Sequence, residues 1–482
     1  MKRSTLLAAV VLLAGALLQA LLWSRQWIYG DQYALFLSGL DLLETGRLPP
    51  VAKYMSGGGH IPGSLLPLLI AGPLEAWTDY RAPALLIGFS HLGAAAVLAA
   101  TVGRALGIPF LAAYLAAYWL SPWRLYHAGF VWEPAYVFLP ASLHLACAWR
   151  LRAGPRFGWS LLLGATLTAT LQLHASFVVL VVLTALLALQ RAIRIDWRGA
   201  FGGMAFGALT LIATAQAWLA GTLPRMTPGE TEEFSRLAVG GLNALKALAY
   251  CLRLGSPDIG RRLRESSFAD VEVIESGVRT GFASGLLTML VALSTLSVIV
   301  ALLASRDYFR AGSALRAGSA LRAGWAQRAG RAMRAGWAMR AGWAIRARSA
   351  LRAASTFRPR PAVGAADAAE PPSADDWFRA YAGWCLVAMC ASAAVSPVPV
   401  QGWHVVIALH AACLPVAAWL RAAFEGGSVP RRAVAGSFVL LQVAVVLALA
   451  FGHPMYQPLS GERLLEQDLP EAVRAIIPAS GP

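Results

Sequence analysis

Apolar residues in this chain come in long unbroken runs rather than in the alternation of a half-buried strand or the three-and-four spacing of a surface helix. Runs of near-spanning length cover about 4–23, 83–103, 108–121, 134–149, 158–172, 176–190, 199–220, 281–304, 379–397, 404–423 and 433–452. They predict an all-α polytopic membrane protein of about eleven transmembrane helices, several of them short. The segment after the first run breaks the pattern. It reads GDQYALFLSGLDLLETGRLPP and then SGGGHIPGSLLPLLIAGPLEAW: an acid, an amphipathic stretch, a glycine run with a histidine, and a second apolar stretch, arranged as interfacial helices in a first external loop.

Composition agrees, because 482 residues of which 57% are hydrophobic and 14% charged have too few polar side chains to cover a soluble globule. The net charge of +16 resembles a nucleic-acid signal until its location is considered. Ten arginines and no acids lie between Arg310 and Arg352, and without them the balance falls to about +6. No nucleic-acid partner is expected. Arg104, Arg150, Arg152, Arg156, Arg191, Arg194, Arg198, Arg421, Arg431 and Arg432 fall in alternate loops, so the positive-inside rule gives one orientation. The N-terminus is then cytoplasmic, residues 24–81, 121–133 and 221–280 are external, and the 453–482 tail is external too. Met1-Lys2-Arg3 and the apolar run after it read as an uncleaved anchor, since no small-x-small cleavage site follows. Alanine and arginine richness fits a high-GC bacterium and hence its inner (plasma) membrane.

The expected organisation is a transmembrane core over 1–304, a cytoplasmic insertion over 305–378 and C-terminal helices over 379–452. The insertion repeats every six residues as RAGSAL, RAGSAL, RAGWAQ, RAGRAM, RAGWAM and RAGWAI. Six does not match the helical period, so arginine and tryptophan spread around any helix formed, and each glycine weakens it. A low-complexity segment that clings to anionic lipid headgroups is the reading adopted, at about 1 kcal/mol per basic residue near the surface. The 221–280 loop reads as a partly helical cap or as a solvated loop. Cys147, Cys251, Cys385, Cys390 and Cys413 include no external pair and no metal spacing, so neither a disulfide framework nor a structural zinc site is expected.

Residues able to carry chemistry gather in the external loops. Asp31 follows the first run closely enough to act as a general base at the membrane surface, or it caps a helix from Gln32 toward Thr45 that Gly46 would end. Three glycines before His60 are incompatible with ordinary helix; they form an anion-binding backbone loop with Lys53 nearby, or a hinge. In LSPWRLYHAGFVWEP, Arg124, His127 and Glu133 are costly at a membrane boundary unless paired or hydrated, while Trp123, Tyr126 and Trp132 fit an interfacial aromatic belt. His174 and His404 open or close spans on the same face, as ligands or as hydrogen-bonded structural residues.

With these residues assembled, the chain resembles the GT-C superfamily of polyprenyl-phosphate-sugar-dependent glycosyltransferases, in the group that holds bacterial relatives of protein O-mannosyltransferases and of the lipid A aminoarabinose transferase. The resemblance covers roughly the first 220 residues, through GDQYALFLSGLDLLETGRLPP, HIPGSLLPLLIAGP, LSPWRLYHAGFVWEP and LQLHAS. It implies a GT-C-like fold and transfer, with inversion, of a sugar from a polyprenyl-phosphate donor in the membrane lipid to a lipid, glycan or protein acceptor. By that analogy Asp31 and Glu133 are catalytic, Lys53 or Arg124 offsets charge on the departing phosphate, and His60, His174 and His404 bind substrate. Several relatives have two adjacent acids where this chain has Asp31-Gln32. One carboxylate is a poor magnesium or manganese site, so a divalent cation stays an open alternative. A polymerase or ligase using Arg261, Arg262 and Arg264, a transporter of lipid-linked saccharides, and a scaffold are the competing readings.

Replacing Arg310–Arg352 by a short linker is expected to leave sugar transfer by the inserted protein largely intact. Lost turnover in properly inserted protein would assign the repeat a part in the chemistry.

Overall fold

The computed structural model describes residues 3–26, 28, 32–54, 60–129, 131–223, 240–254, 277–310, 373–396, 400–452 and 471–477. Asp31, the glycine run, the arginine repeat beyond Arg310 and most of the 221–280 loop lie outside the described residues. What is described is almost entirely helical. Among the described residues six helices are long and apolar enough to cross a membrane: Ser4–Ser24, Arg81–Leu106, Trp197–Leu219, Val291–Arg310, Gly402–Gly426 and Val429–Ala450. Among the shorter apolar helices are Ile108–Tyr118, Phe157–Leu171 and Phe177–Leu189. Six such helices and the expected count of about eleven runs differ because several runs fold as helices too short to span alone.

The chain starts with α1 (Arg3–Ser24) and passes into a compact first loop. There α2 (Gln32–Thr45) is followed by β1 (Val51–Tyr54), β2 (His60–Pro62) and α3 (Leu65–Ala76). α2 buries Gln32, Leu35, Phe36, Gly39 and Leu42, a stripe at helical spacing. It ends at Gly46, whose φ of +63° suits glycine. The short antiparallel pair β1–β2 is a departure from the all-helical expectation, with Lys53 opposite Ile61 and Tyr54 opposite His60. These elements bury Leu35, Phe36, Ile61, Leu66, Ile70 and Leu74 in a second, small core that also takes in Ile87, Val131, Tyr136 and Leu173.

The bundle continues through α4 (Arg81–Leu106), α5 (Ile108–Tyr118), α6 (Pro122–Ala128), a 3-10 turn over Glu133–Val137, α7 (Phe138–Leu151), α8 (Phe157–Leu171) and α9 (Phe177–Leu189). Next come α10 (Trp197–Gly207), α11 (Ile212–Leu219), α12 (Gly240–Leu252), α13 (Gly277–Arg310) and α14 (Ala374–Ala394). It closes with α15 (Gly402–Val405), α16 (Leu409–Gly426), α17 (Val429–Gly452) and the single turn α18 (Glu471–Arg474). Helix α12 belongs to the stretch expected as an external loop, yet Ala247 and Cys251 are buried in the main core, packed toward α14. All five cysteines are free.

Large apolar side chains face outward on α1 (Leu6, Leu13, Leu17) and along α10–α11 (Phe201, Phe206, Trp218). In water so continuous an apolar surface would be unfavourable; a bilayer covers it. α8 and α10 approach through glycines, as helices do where hydrocarbon supplies no driving force between them. A Cβ on Gly203 would overlap the Leu161 carbonyl oxygen, and one on Gly164 the Ala200 carbonyl oxygen. Gly202, on the same helix, faces open space.

Gly203→Ala is therefore expected to force α8 and α10 apart at a cost of about 1–3 kcal/mol. Gly202→Ala should be neutral or stabilise by up to about 1 kcal/mol through helix propensity. Thermal unfolding of the two variants in lipid nanodiscs measures the contrast; equal effects would mean that the helices do not pack on their glycine faces.

Candidate functional site

The first loop docks on one end of the bundle, and the residues that dock it include those the sequence singled out. Lys53 Nζ, on β1, donates to both carboxylate oxygens of Glu133 at 3.1 and 3.2 Å. The pair is nearly buried, with side chains 9% and 13% exposed. Eighty residues separate the two, so this ion pair ties the hairpin to the connection between α6 and α7. Gln32, which follows Asp31 in sequence, accepts from the Val131 backbone N–H at 3.0 Å and fixes the start of α2 beside the same connection.

On the other side of the hairpin, the Gly63 N–H donates to Thr214 Oγ1 at 2.9 Å, and Thr214 in turn donates to the Pro50 carbonyl. The Ser64 N–H donates to the Thr210 carbonyl at 2.9 Å. Gly63 has a φ of +90°, and a Cβ there would overlap the Gln172 side chain, so the close approach to the α8–α9 turn requires glycine. The C-terminal segment arrives at the same end: Val473 and Ile476 enter the first-loop core, and the Ile476 carbonyl accepts from the Tyr80 N–H at 3.1 Å.

Beside the ion pair lies a ring cluster. His127 stacks on Trp132 with centroids 5.5 Å apart, Trp132 meets Trp403 at 5.5 Å, and His174 meets His404 at 5.7 Å. Both His174 and His404 are pinned through Nδ1. The Ser176 N–H donates to His174 Nδ1 at 3.1 Å, and the Gln401 N–H donates to His404 Nδ1 at 2.9 Å. In the neutral form each ring therefore carries its proton on Nε2, as a hydrogen-bond donor. Burial first, then the His404, His127 and Lys53 charges, hold the His174 pKa well below the ordinary histidine value, so His174 is neutral at physiological pH.

Arg124 is elsewhere. It is 1% exposed and its guanidinium lies over the Trp119 ring, 3.6 Å from the centroid. Nε and Nη2 donate to the Trp119 carbonyl at 3.0 and 2.8 Å, while Nη1 donates to Gln19 Oε1 at 2.8 Å and approaches His91 Nδ1 at 3.3 Å. The expectation that Arg124 meets a lipid phosphate is thus replaced by a structural one: this cation ties α1, α4 and α5 together through neutral acceptors. His60 is half-buried on β2, opposite Tyr54. Asp79 is a further buried acid, but it accepts from the Arg81 N–H and pairs with the Arg81 guanidinium at 2.5 Å, which secures the start of α4.

Sequence reasoning did not find Thr214 as part of this end of the molecule, and it gave Gln32 no docking contact. A buried glutamine directly after the candidate acid was the available signal for Gln32. Among the described residues no three His, Cys, Asp or Glu side chains come together as metal ligands, and Glu133 faces an ammonium rather than a second carboxylate. Glu133 with Lys53 does not by itself make a magnesium or manganese site, and Asp31 lies outside the described residues.

The fold and its apolar surfaces define a multi-pass α-helical membrane protein. No family model, curated protein or solved structure matches the chain. The residues quoted for the GT-C resemblance are its whole support.

Because each member of the Lys53–Glu133 pair would leave the other charged and buried, Lys53→Met and Glu133→Gln should each destabilise by about 3 kcal/mol. The double variant should be less destabilised than either single one. Thermal unfolding of the three proteins in nanodiscs checks this; additive losses would mean that the pair is not formed.

Proposed function

We propose that this protein is a GT-C-type membrane glycosyltransferase with about eleven membrane-crossing or membrane-embedded segments, its catalytic face external and its N-terminus cytoplasmic. It moves a sugar, with inversion, from a polyprenyl-phosphate donor to a hydroxyl acceptor. The observation that carries the reading is the convergence of Lys53, Glu133, His174 and His404, from four separate parts of the chain, on one end of an apolar bundle. A donor whose reacting carbon lies at the membrane surface requires polar groups there, and these residues supply an ammonium, a carboxylate and two imidazoles at one place.

In the proposed reaction the acceptor oxygen attacks the anomeric carbon as the bond from that carbon to the phosphate oxygen breaks. The electron pair leaves with polyprenyl phosphate, and the hydroxyl proton passes to the Asp31 carboxylate. Nε2–H donors on His174 and His404 bind sugar or phosphate oxygens. Lys53 exchanges Glu133 for the phosphate, where its charge stabilises the leaving group, and the released Glu133 orients the acceptor. Arg124 takes no part, and no step uses a metal ion.

One observation favours a second reading, a transporter of lipid-linked saccharides: two of the six long apolar helices carry 3-10 interruptions, at Ala208–Leu211 and Val406–Ala408. The polymerase or ligase reading rests on Arg261, Arg262 and Arg264, outside the described residues.

The test supplies purified protein in lipid with a panel of radiolabelled polyprenyl-phosphate sugars. Wild type is expected to turn over at least one donor, Asp31→Asn to lose turnover by about 10³-fold or more with donor binding retained, and Lys53→Met to bind donor more weakly. Equal turnover by wild type and Asp31→Asn would remove Asp31 as base. Movement of intact donor across the bilayer without sugar transfer would replace this reading with the transporter.

A further inference from the structure

Within the bundle, and independent of the transferase reading, four helices share a chain of hydrogen bonds. His144 on α7 lies with Nδ1 2.9 Å from Tyr381 Oη on α14 and Nε2 2.9 Å from Thr184 Oγ1 on α9. Tyr381 Oη is 3.0 Å from His410 Nε2 on α16, and His410 Nδ1 is 3.0 Å from the Ile407 carbonyl oxygen. The Thr184 hydroxyl also lies 2.7 Å from the Leu180 carbonyl, one helical turn back. All four side chains are buried.

Counting protons shows what such a chain can do. Its neutral form has four mobile protons: one each on Thr184, His144, Tyr381 and His410. The Ile407 carbonyl only accepts, so His410 carries its proton on Nδ1, and its Nε2 accepts from the Tyr381 hydroxyl. The Tyr381 oxygen then accepts from His144 Nδ1–H, which leaves His144 Nε2 to accept from the Thr184 hydroxyl. All four protons are used, and each ring nitrogen is either donor or acceptor.

One added proton is accommodated by a single rotation. Thr184 turns its hydroxyl to the Leu180 carbonyl, and its oxygen accepts from the newly protonated His144 Nε2. Five protons now make five hydrogen bonds. Passing the His144 Nδ1 proton to Tyr381, and the Tyr381 proton to His410 Nε2, moves the charge from one imidazole to the other with all five bonds kept. A second proton is refused, because it would set two imidazolium ions against one phenol oxygen whose own proton has no acceptor.

We propose that Thr184, His144, Tyr381 and His410 form a proton-binding site inside the bundle that takes up one proton and shares it between the two histidines. The titratable groups around it are Cys147 on α7, Cys385 on α14, Cys413 on α16, and Tyr114 and Tyr118 on α5, with Cys385 in turn acting on Cys251 of α12. Thiols and phenols in an apolar bundle stay uncharged at neutral pH. On α4, His91 is engaged with the Ala135 carbonyl and Arg124, and the Arg124 charge acts on Tyr118. Ionisable side chains held within membrane helices mark proton or ion sites more often than packing alone.

The experiment follows the ring nitrogens of ¹⁵N-histidine-labelled full-length protein in lipid nanodiscs by NMR from pH 8 to pH 4.5. His144→Asn and His410→Asn identify the two sets of signals. The expected result is that both rings shift together at one midpoint and reach the intensity of one imidazolium in total. Tyr381→Phe should lower that population at least five-fold at the wild-type midpoint. Rings that stay neutral throughout, that each gain a proton of their own, or that keep the shared uptake in Tyr381→Phe would overturn the proposal. If Tyr381→Phe does not fold, the wild-type titration decides alone.

Discussion

A polar group placed in an apolar bundle must find its partner within the protein, and the Lys53–Glu133 ion pair is where this constraint does most to shape the molecule. Water is nearly excluded from both side chains, so neither charge is tolerable alone, and their pairing sets the hairpin of the first loop against the α6–α7 connection. Gln32 with Val131 and Gly63 with Thr214 then fix the two sides of the hairpin. Packing in the small core, where Phe36 and Ile70 share a cluster with Ile87, Val131, Tyr136 and Leu173, buries apolar surface at the same junction.

The same constraint explains Arg124 and the His144–Tyr381–His410 chain. Arg124 is buried with carbonyl, amide and imidazole acceptors and the face of Trp119, a solution that satisfies its donors without a carboxylate. The two histidines, Tyr381 and Thr184 satisfy one another across four helices. Each network joins elements distant in sequence, so each fixes helix register in a bundle whose apolar contacts alone would be permissive.

Much of this was legible in the sequence, and the limits are physical. The bounds of α2 followed from Gln32 and Gly46, since a glycine with positive φ is a local requirement. The meeting of Glu133, Lys53, His174 and His404 at one end was foreshadowed by the sidedness of the loops. Their pairing was not, because an ion pair spanning eighty residues depends on tertiary docking. The β1–β2 hairpin was missed because strands of four and three residues beside a glycine run leave no alternation to read. Arg124 is costly at a membrane boundary, as its charge implies, but the backbone carbonyl that takes two of its donors leaves no trace in side-chain composition. α12 fits the partly helical reading of its loop, but its packing was not legible, because Ala247 and Cys251 enter the core through contacts with distant helices.

The docked first loop is the claim on which the site and the proposed chemistry rest. Its most direct measurement is cross-linking between cysteines placed at Ser64 and Thr210, whose backbones meet at 2.9 Å, in a background without other cysteines that is inserted in the membrane and keeps Lys53 and Glu133, with a short bifunctional thiol reagent. Near-complete intramolecular cross-linking is the predicted result. Failure to cross-link, with both cysteines reactive toward a monofunctional reagent, would contradict the docked loop and with it the site.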